Sequence, residues 1–229
     1  MSRLLVTQAR GKDRYDSPID YLEDSFVHFF SSINIDLYPV PNGLKNINRF
    51  LLGIEYDGLV ISGGADVNPK YFSEIEYKSH RYSDKRDSIE TALIDLCVEE
   101  EKMILGVCYG MQKLNIYFGG NITSDNHQSV CDDYKPIDHH AILIKKPIFD
   151  FQGEYLVNQF HNNTIEQEDL AIDLDEVAID STFGNIEAFV HNRLPILGIQ
   201  WHPDRKSPDQ EFNKQFISTF LRNNFSSES

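Results

Sequence analysis

Apolar runs of strand length alternate with segments of helical period through the first half of the chain, and this alternation narrows the fold more than any other feature. Leu4-Leu5-Val6 reads as a first strand. Ser17-Pro18 reads as an N-cap followed by a proline at the first helical position, with Ile19, Leu22, Phe26 and Phe29 following at helical spacing. Residues 33–40 hold a second strand, stopped by Pro41-Asn42-Gly43, and a short helix is expected over 44–52. Gly58-Leu59-Val60-Ile61 is a third strand and runs into the turn Ser62-Gly63-Gly64. Residues 84–101 return to helical period, with Ile89, Leu93, Leu96 and Cys97 on one face. The unbroken apolar run 103–107 reads as a strand buried on both faces, and the helix after it, 109–118, ends at Gly119-Gly120. Strand then helix, repeated, predicts an α/β protein with a mainly parallel central sheet and helices on both faces.

The second half is less regular. The polar stretch 121–138 reads as loop. Residues 141–145, 155–158 and 196–200 read as strands, and 176–179 with 186–190 as an antiparallel pair, so a small antiparallel extension of the sheet is expected. A last helix starts at Ser207-Pro208 and buries Phe212, Phe216 and Phe220. With no repeat or linker in 229 residues, the expectation is a single domain over 1–229, large enough to stand on its hydrophobic core.

Charge and cysteine usage exclude several classes. The formal charge of -15 argues against a nucleic-acid partner, though a locally basic pocket for an anionic substrate remains compatible with it. Three cysteines, Cys97, Cys108 and Cys131, have neither the spacing of a disulfide framework nor that of a zinc site. The first residues lack the apolar core of a secretory signal, and no apolar run approaches membrane-spanning length. The expectation is a cytoplasmic protein with no membrane partner.

The chemistry concentrates at Gly106-Val107-Cys108-Tyr109-Gly110, between a buried strand and a helix. This is the cysteine counterpart of the nucleophile elbow, in which the reactive residue sits on a sharp turn and flanking glycines remove side chains that would clash. A cysteine at a helix N-terminus is disposed to ionise, and the amide of Tyr109 faces the same spot. Cys97 falls on an apolar helix face and reads as core, while Cys131 in its polar stretch carries no assignment.

A cysteine nucleophile works best beside a histidine. Of eight histidines, His202 stands out because it follows the apolar strand ending Gly198-Ile199-Gln200-Trp201, at the end of the sheet where parallel folds place their sites. Asp204, two residues on, can fix the imidazole's tautomer and stabilise its cation.

These residues resemble those of the class I glutamine amidotransferases, and within that family the stand-alone γ-glutamyl hydrolase branch. The resemblance rests on Leu105-Gly106-Val107-Cys108-Tyr109-Gly110-Met111-Gln112 continuing through Asn115 to Phe118-Gly119-Gly120, on Gly198-Ile199-Gln200-Trp201-His202-Pro203, on Ile61-Ser62-Gly63-Gly64-Ala65-Asp66-Val67-Asn68-Pro69, and on Arg86-Asp87 with Glu90. It implies the flavodoxin-like fold of that family, Cys108 as nucleophile, His202 as base and acid, and the amides of Gly64 and Tyr109 as oxyanion donors. It also implies substrate contacts from Gly63, Arg86, Gln112, Asn158, Gln159, Phe160 and His161, and no cofactor or metal. Two departures stand out. Asp204 occupies the place of the family's glutamate, so its reach to His202 is one methylene shorter. Val157-Asn158-Gln159-Phe160-His161-Asn162-Asn163 replaces the branch's Val-Asn-Ser-x-His-His-Gln, which implies altered specificity.

The resemblance implies hydrolysis of a small γ-glutamyl conjugate. The segments Val6-Thr7-Gln8-Ala9-Arg10 and Pro39-Val40-Pro41-Asn42 resemble a sub-branch of bacterial surface-polysaccharide pathways whose substrate is a γ-glutamyl nucleotide phosphoramidate used in capsule synthesis. Lys70, Lys78, Arg81, Lys85 and Arg86 are the cations available for such a substrate, Arg86 first among them. The alternatives are a glutaminase subunit that passes ammonia to a partner synthase, and a non-catalytic binding module; a homodimer is compatible with any of these.

Overall fold

The computed structural model describes residues 2–64, 66–71, 82–124, 139–161 and 163–225. Cys131, Lys78, Arg81, Asn162 and most of the polar stretch expected as loop lie outside these residues. The strands are β1 (Ser2–Thr7), β2 (Ala9–Lys12), β3 (Pro18–Tyr21), β4 (Ile35–Val40), β5 (Gly58–Ile61), β6 (Met103–Val107), β7 (Thr123–Ser124), β8 (His140–Ile148), β9 (Phe151–Val157), β10 (Asn163–Thr164), β11 (Leu174–Asp180), β12 (Ile186–His191) and β13 (Ile196–Ile199). The helices are α1 (Asp24–Ser32), α2 (Ile47–Leu51), α3 (Asp84–Glu99), α4 (Tyr109–Tyr117) and α5 (Gln210–Phe225).

Nine strands form one sheet in the order β4-β1-β5-β6-β13-β12-β11-β8-β9. The first five are parallel and the remaining pairings antiparallel. The antiparallel part, expected to be small, is four strands wide, because β8 and β9 form a long hairpin that continues the β11–β12 pair outward.

Alternation along the parallel strands sorts the core into two layers. Leu4, Val6, Val60, Leu105 and Val107 face a layer containing Phe26, Phe29 and Phe30 of α1 and Phe212, Phe216 and Phe220 of α5. Leu5, Leu59, Ile61 and Ile104 face a layer holding Ile89 and Leu93 of α3 and Met111 and Leu114 of α4. Helices therefore cover both faces, as the unbroken apolar strands require.

One expectation fails. Ser17-Pro18 does not cap a helix: residues 9–21 form the β2–β3 hairpin, and α1 begins at Asp24. The Asp13 carboxylate accepts the amides of Tyr15 at 2.8 Å and Ser17 at 2.9 Å, building the turn, and Arg10 pairs with Asp20 at 2.9 Å across the two strands. Pro18 is tolerated because it sits in a two-stranded ribbon. The last helix likewise begins two residues beyond Pro208, since the Ser207 hydroxyl donates to the Leu156 carbonyl instead of capping.

Candidate active site

Three neighbouring parallel strands, β5, β6 and β13, deliver Ser62-Gly63-Gly64, Cys108 and Gln200-Trp201-His202 to the same edge of the sheet. Register fixes the match: Gly198 lies opposite Gly106 and Ile199 opposite Val107, and the Cys108 amide donates to the Ile199 carbonyl at 2.8 Å.

The turn at Cys108 is strained. Its φ is 53° and ψ −106°, a region L-residues avoid at a cost of roughly 1–3 kcal/mol. The flanking glycines permit it by close backbone approach. A Cβ on Gly106 would lie 2.6 Å from the Gly110 carbonyl oxygen, and one on Gly110 would lie 2.2 Å from that of Ile61. The first helical turn also aims an amide. The Cys108 carbonyl accepts from Gln112 N–H at 3.2 Å, so the Tyr109 N–H, anti to it in the same peptide plane, points out of the helix N-terminus.

The Cys108 and His202 side chains are close enough to act on each other electrostatically. His202 Nδ1 lies 3.2 Å from Asp204 Oδ1, which leaves Nε2 for the sulfur. Burial, the largest influence on this imidazole, disfavours its cation, but charge and hydrogen bonding from Cys108 and Asp204 outweigh it and push the pKa up to about 9. Asp204 is held below the usual carboxylate range: burial opposes ionisation, and hydrogen bonds from His202 and Ser25 overcome it. The Asp204–His202 contact is at the long end of the normal range, as the shorter side chain implies, and Ser25 Oγ steadies the carboxylate by donating to its other oxygen at 3.0 Å. By contrast the Cys97 thiol, buried in the core, is pushed up to about 12, which keeps it inert.

Gly63 packs directly on the imidazole: a Cβ there would sit 2.5 Å from His202 Cε1. Gly64, at φ +85°, takes a conformation that favours glycine.

Several expected substrate contacts have other surroundings. Arg86 is 1% exposed and reaches inward, donating to the carbonyls of Ser62 at 2.6 Å, Gly63 at 3.2 Å and Gly64 at 3.1 Å, while its Nε pairs with Glu90 at 2.7 Å. Holding the Gly63 carbonyl fixes the direction of the Gly64 N–H across the same peptide. The guanidinium also stacks on the Tyr109 ring at 4.2 Å, and the Tyr109 hydroxyl donates to Glu90 at 2.7 Å. Asn158 is likewise buried and clamps the His202 main chain, donating to its carbonyl at 2.7 Å and accepting its amide at 3.0 Å. Gln112 donates to Gln200 Oε1 and to the Asn163 carbonyl, both at 3.1 Å. Phe160 meets His202 edge-on at 5.8 Å between centroids, and the Arg205 guanidinium lies over its ring at 4.5 Å. Gln159 is half-buried in the same loop, and the His161 side chain there is 3% exposed.

Sequence reasoning missed the cleft wall. Tyr21, Leu22, Glu23 and Phe26, from the end of the β2–β3 hairpin and the start of α1, line a cleft with Gly63, Gly64, His202, Asp204 and Arg205. It missed Ser25 too, for which the sequence carries no signal, since the partner lies 179 residues away. The Arg86–Glu90 pair was legible as i,i+4 spacing of opposite charges.

Comparison with known proteins agrees with this arrangement. The Peptidase C26 family model matches residues 39–204. The chain is 30% identical over 213 residues to the glutamine amidotransferase-like protein YvdE of Lactococcus lactis, covering 88% of each chain. It is 33% identical over 174 residues to the gamma-glutamyl-CDP-amidate hydrolase of Campylobacter jejuni, covering 71% of this chain and 74% of that one. In three dimensions it superimposes on a glutamine amidotransferase from Thermotoga maritima with a TM-score of 0.65 at 16% identity, over 99% of both chains, which establishes the shared fold. Among the described residues no helix is long and apolar enough to cross a membrane.

Proposed function

Since the chain belongs to the peptidase C26 family, a class I glutamine amidotransferase-like group of amide hydrolases, we propose that it cleaves the γ-glutamyl amide bond of a small conjugate through a thioester on Cys108. The observation that carries the proposal is Cys108 on a strained turn beside His202, whose Nδ1 is backed by Asp204.

The steps follow from the groups present. His202 already holds the proton of the Cys108 thiol as an ion pair, and the thiolate attacks the γ-carbonyl. Negative charge on the carbonyl oxygen is met by the amides of Tyr109 and Gly64, whose directions are set by the first turn of α4 and by Arg86. Arg86 and Asn158 thus act as positioning residues, one for an oxyanion amide and the other for the base. His202, a cation up to about pH 9, returns its proton to the departing amine. Water, deprotonated by the same imidazole, then releases glutamate. No step calls on a metal or cofactor.

The substrate reading extends to a γ-glutamyl nucleotide phosphoramidate of bacterial capsule synthesis. The likeness to the Campylobacter jejuni hydrolase supports it; Arg205 lines the cleft, where it is paired with Glu23 at 3.0 Å and would exchange that partner for a phosphoryl group. Arg86, first among the sequence candidates, is buried and already engaged. Lys70 is engaged with Asp87. Purified protein is to be offered glutamine and a panel of γ-glutamyl amides, nucleotide conjugates included, with free glutamate as the readout. A single strongly preferred conjugate supports the hydrolase. Preference for glutamine over every conjugate assigns the chain to an ammonia-donating pair with a synthase, and no turnover with any of them leaves a binding module.

A further inference from the structure

The antiparallel half of the sheet holds a buried polar cluster that the proposed reaction does not use. His140 opens β8, Asp180 closes β11 and Glu187 lies in β12, three strands that are neighbours in the sheet. One ligating atom from each lies within 4.8 Å of the others. His140 Nε2 is 3.3 Å from Glu187 Oε2 and 3.7 Å from Asp180 Oδ2, and His161 Nε2 is 3.8 Å from Glu187 Oε1. We propose that His140, Asp180 and Glu187, with His161 beside them, form a binding site for a first-row divalent cation such as Zn2+ or Mn2+.

Four observations carry this. The spacing fits: donor atoms around a tetrahedral ion with bonds of about 2.0–2.1 Å lie about 3.3 Å apart. Hydrogen bonding inside the cluster is incomplete: the Glu187 side chain is 1% exposed and its Oε2 makes no hydrogen bond of good geometry, nor does either ring nitrogen of His140, which faces the two carboxylates only as an ion pair. Such a carboxylate oxygen, shut away beside a second carboxylate, is costly without a cation. The donors are also pre-oriented by their outer contacts. Asp180 Oδ1 accepts the amides of Thr182 and Phe183, both at 2.7 Å, which turns Oδ2 inward. His161 Nδ1 faces the Asn163 carbonyl at 3.0 Å; a carbonyl only accepts, so Nδ1 carries hydrogen and the neutral ring presents Nε2 as a donor atom. Finally, two carboxylates and the imidazole of His140, neutral when it ligates, make a set of charge −2, matched to a divalent ion and containing no thiolate that would select a soft metal. This departs from the expectation of no metal, which rested on cysteine spacing and on the family resemblance. His140 is brought to Asp180 and Glu187 by strand pairing across 40 and 47 residues of chain.

The inference is independent of the hydrolase reading and is tested without turnover. Chelator-stripped protein carrying Cys108→Ala, so that the elbow thiol cannot compete, is titrated with Zn2+ and with Mn2+ by calorimetry, and the melting temperature is followed in parallel. The expected result is saturable binding of one ion per chain for at least one metal, a raised melting temperature on loading, and at least a tenfold loss of affinity in both Glu187→Gln and His140→Gln. X-ray absorption of the retained ion should show nitrogen and oxygen ligands only. Absence of saturable binding for both metals, or unchanged affinity in either variant that retains the wild-type circular dichroism spectrum, overturns the site and leaves shared protons as what holds the cluster together. Should Glu187→Gln not fold, His140→Gln and the absorption spectrum decide.

Discussion

Replacing Gly63 by alanine tests how finely the imidazole is placed. Gly63 does not have a positive φ, so a methyl group there strains no backbone, and its effect is confined to what it touches. It would touch His202, at 2.5 Å from Cε1 and 3.0 Å from Nε2, whereas ordinary contact begins at 3.4 Å. Relief requires the ring to withdraw by 3.4 − 2.5, or 0.9 Å. The ring cannot yield freely, because Asp204 holds Nδ1 and Asn158 holds the main chain from both sides. A displacement near 1 Å at the base costs on the order of a hundredfold in rate, about 2.7 kcal/mol in the barrier. The assay is kcat/KM for glutamate release from the best conjugate in the panel, alongside thermal melting. The expected outcome is a rate loss near that size with little change in melting temperature. A Gly63→Ala protein with wild-type kcat/KM would refute the reasoning, since it would show that the ring is not held where it is seen.

Two further perturbations follow from the same geometry. Asp204→Asn removes a charge that favours the imidazolium, so the alkaline limb of the kcat/KM profile, expected near pH 9 in the wild type, should move to lower pH with a reduced plateau; an unmoved limb would detach Asp204 from His202. Glu90→Gln leaves the Arg86 guanidinium buried without its counter-charge, which should cost about 3–5 kcal/mol and lower the melting temperature on the order of 10 °C, and a drop of only a degree or two would mean that the pair is not shut off from water.

The parallel half of the fold and the heart of the site were legible in the sequence because both are local signals. An apolar run, Gly106, Cys108 and Gly110 within five residues dictate a strand, a tight turn and a helix with no information from elsewhere. His202 was readable for the same reason, since its strand announces where it ends. What stayed hidden depends on chain segments far apart. Pro18 looks like a helix start by local chemistry, and the Arg10–Asp20 pair and the Asp13 turn that decide for a hairpin emerge only when the strands meet. Arg86 and Asn158 were expected as substrate contacts, but a sequence does not say which way a side chain points. One turned inward beneath the Gly63–Gly64 turn and the other onto the His202 backbone. Ser25 and the His140–Asp180–Glu187 cluster are products of tertiary pairing alone.

The measurement that bears most directly on the central claim is covalent capture of the enzyme in turnover. Acid quenching within milliseconds of mixing with the preferred conjugate, followed by peptide mass spectrometry, should find one γ-glutamyl group attached through sulfur to Cys108 and none on Cys97. Full turnover with no adduct in the wild type, and undiminished glutamate release by Cys108→Ala, would contradict the account.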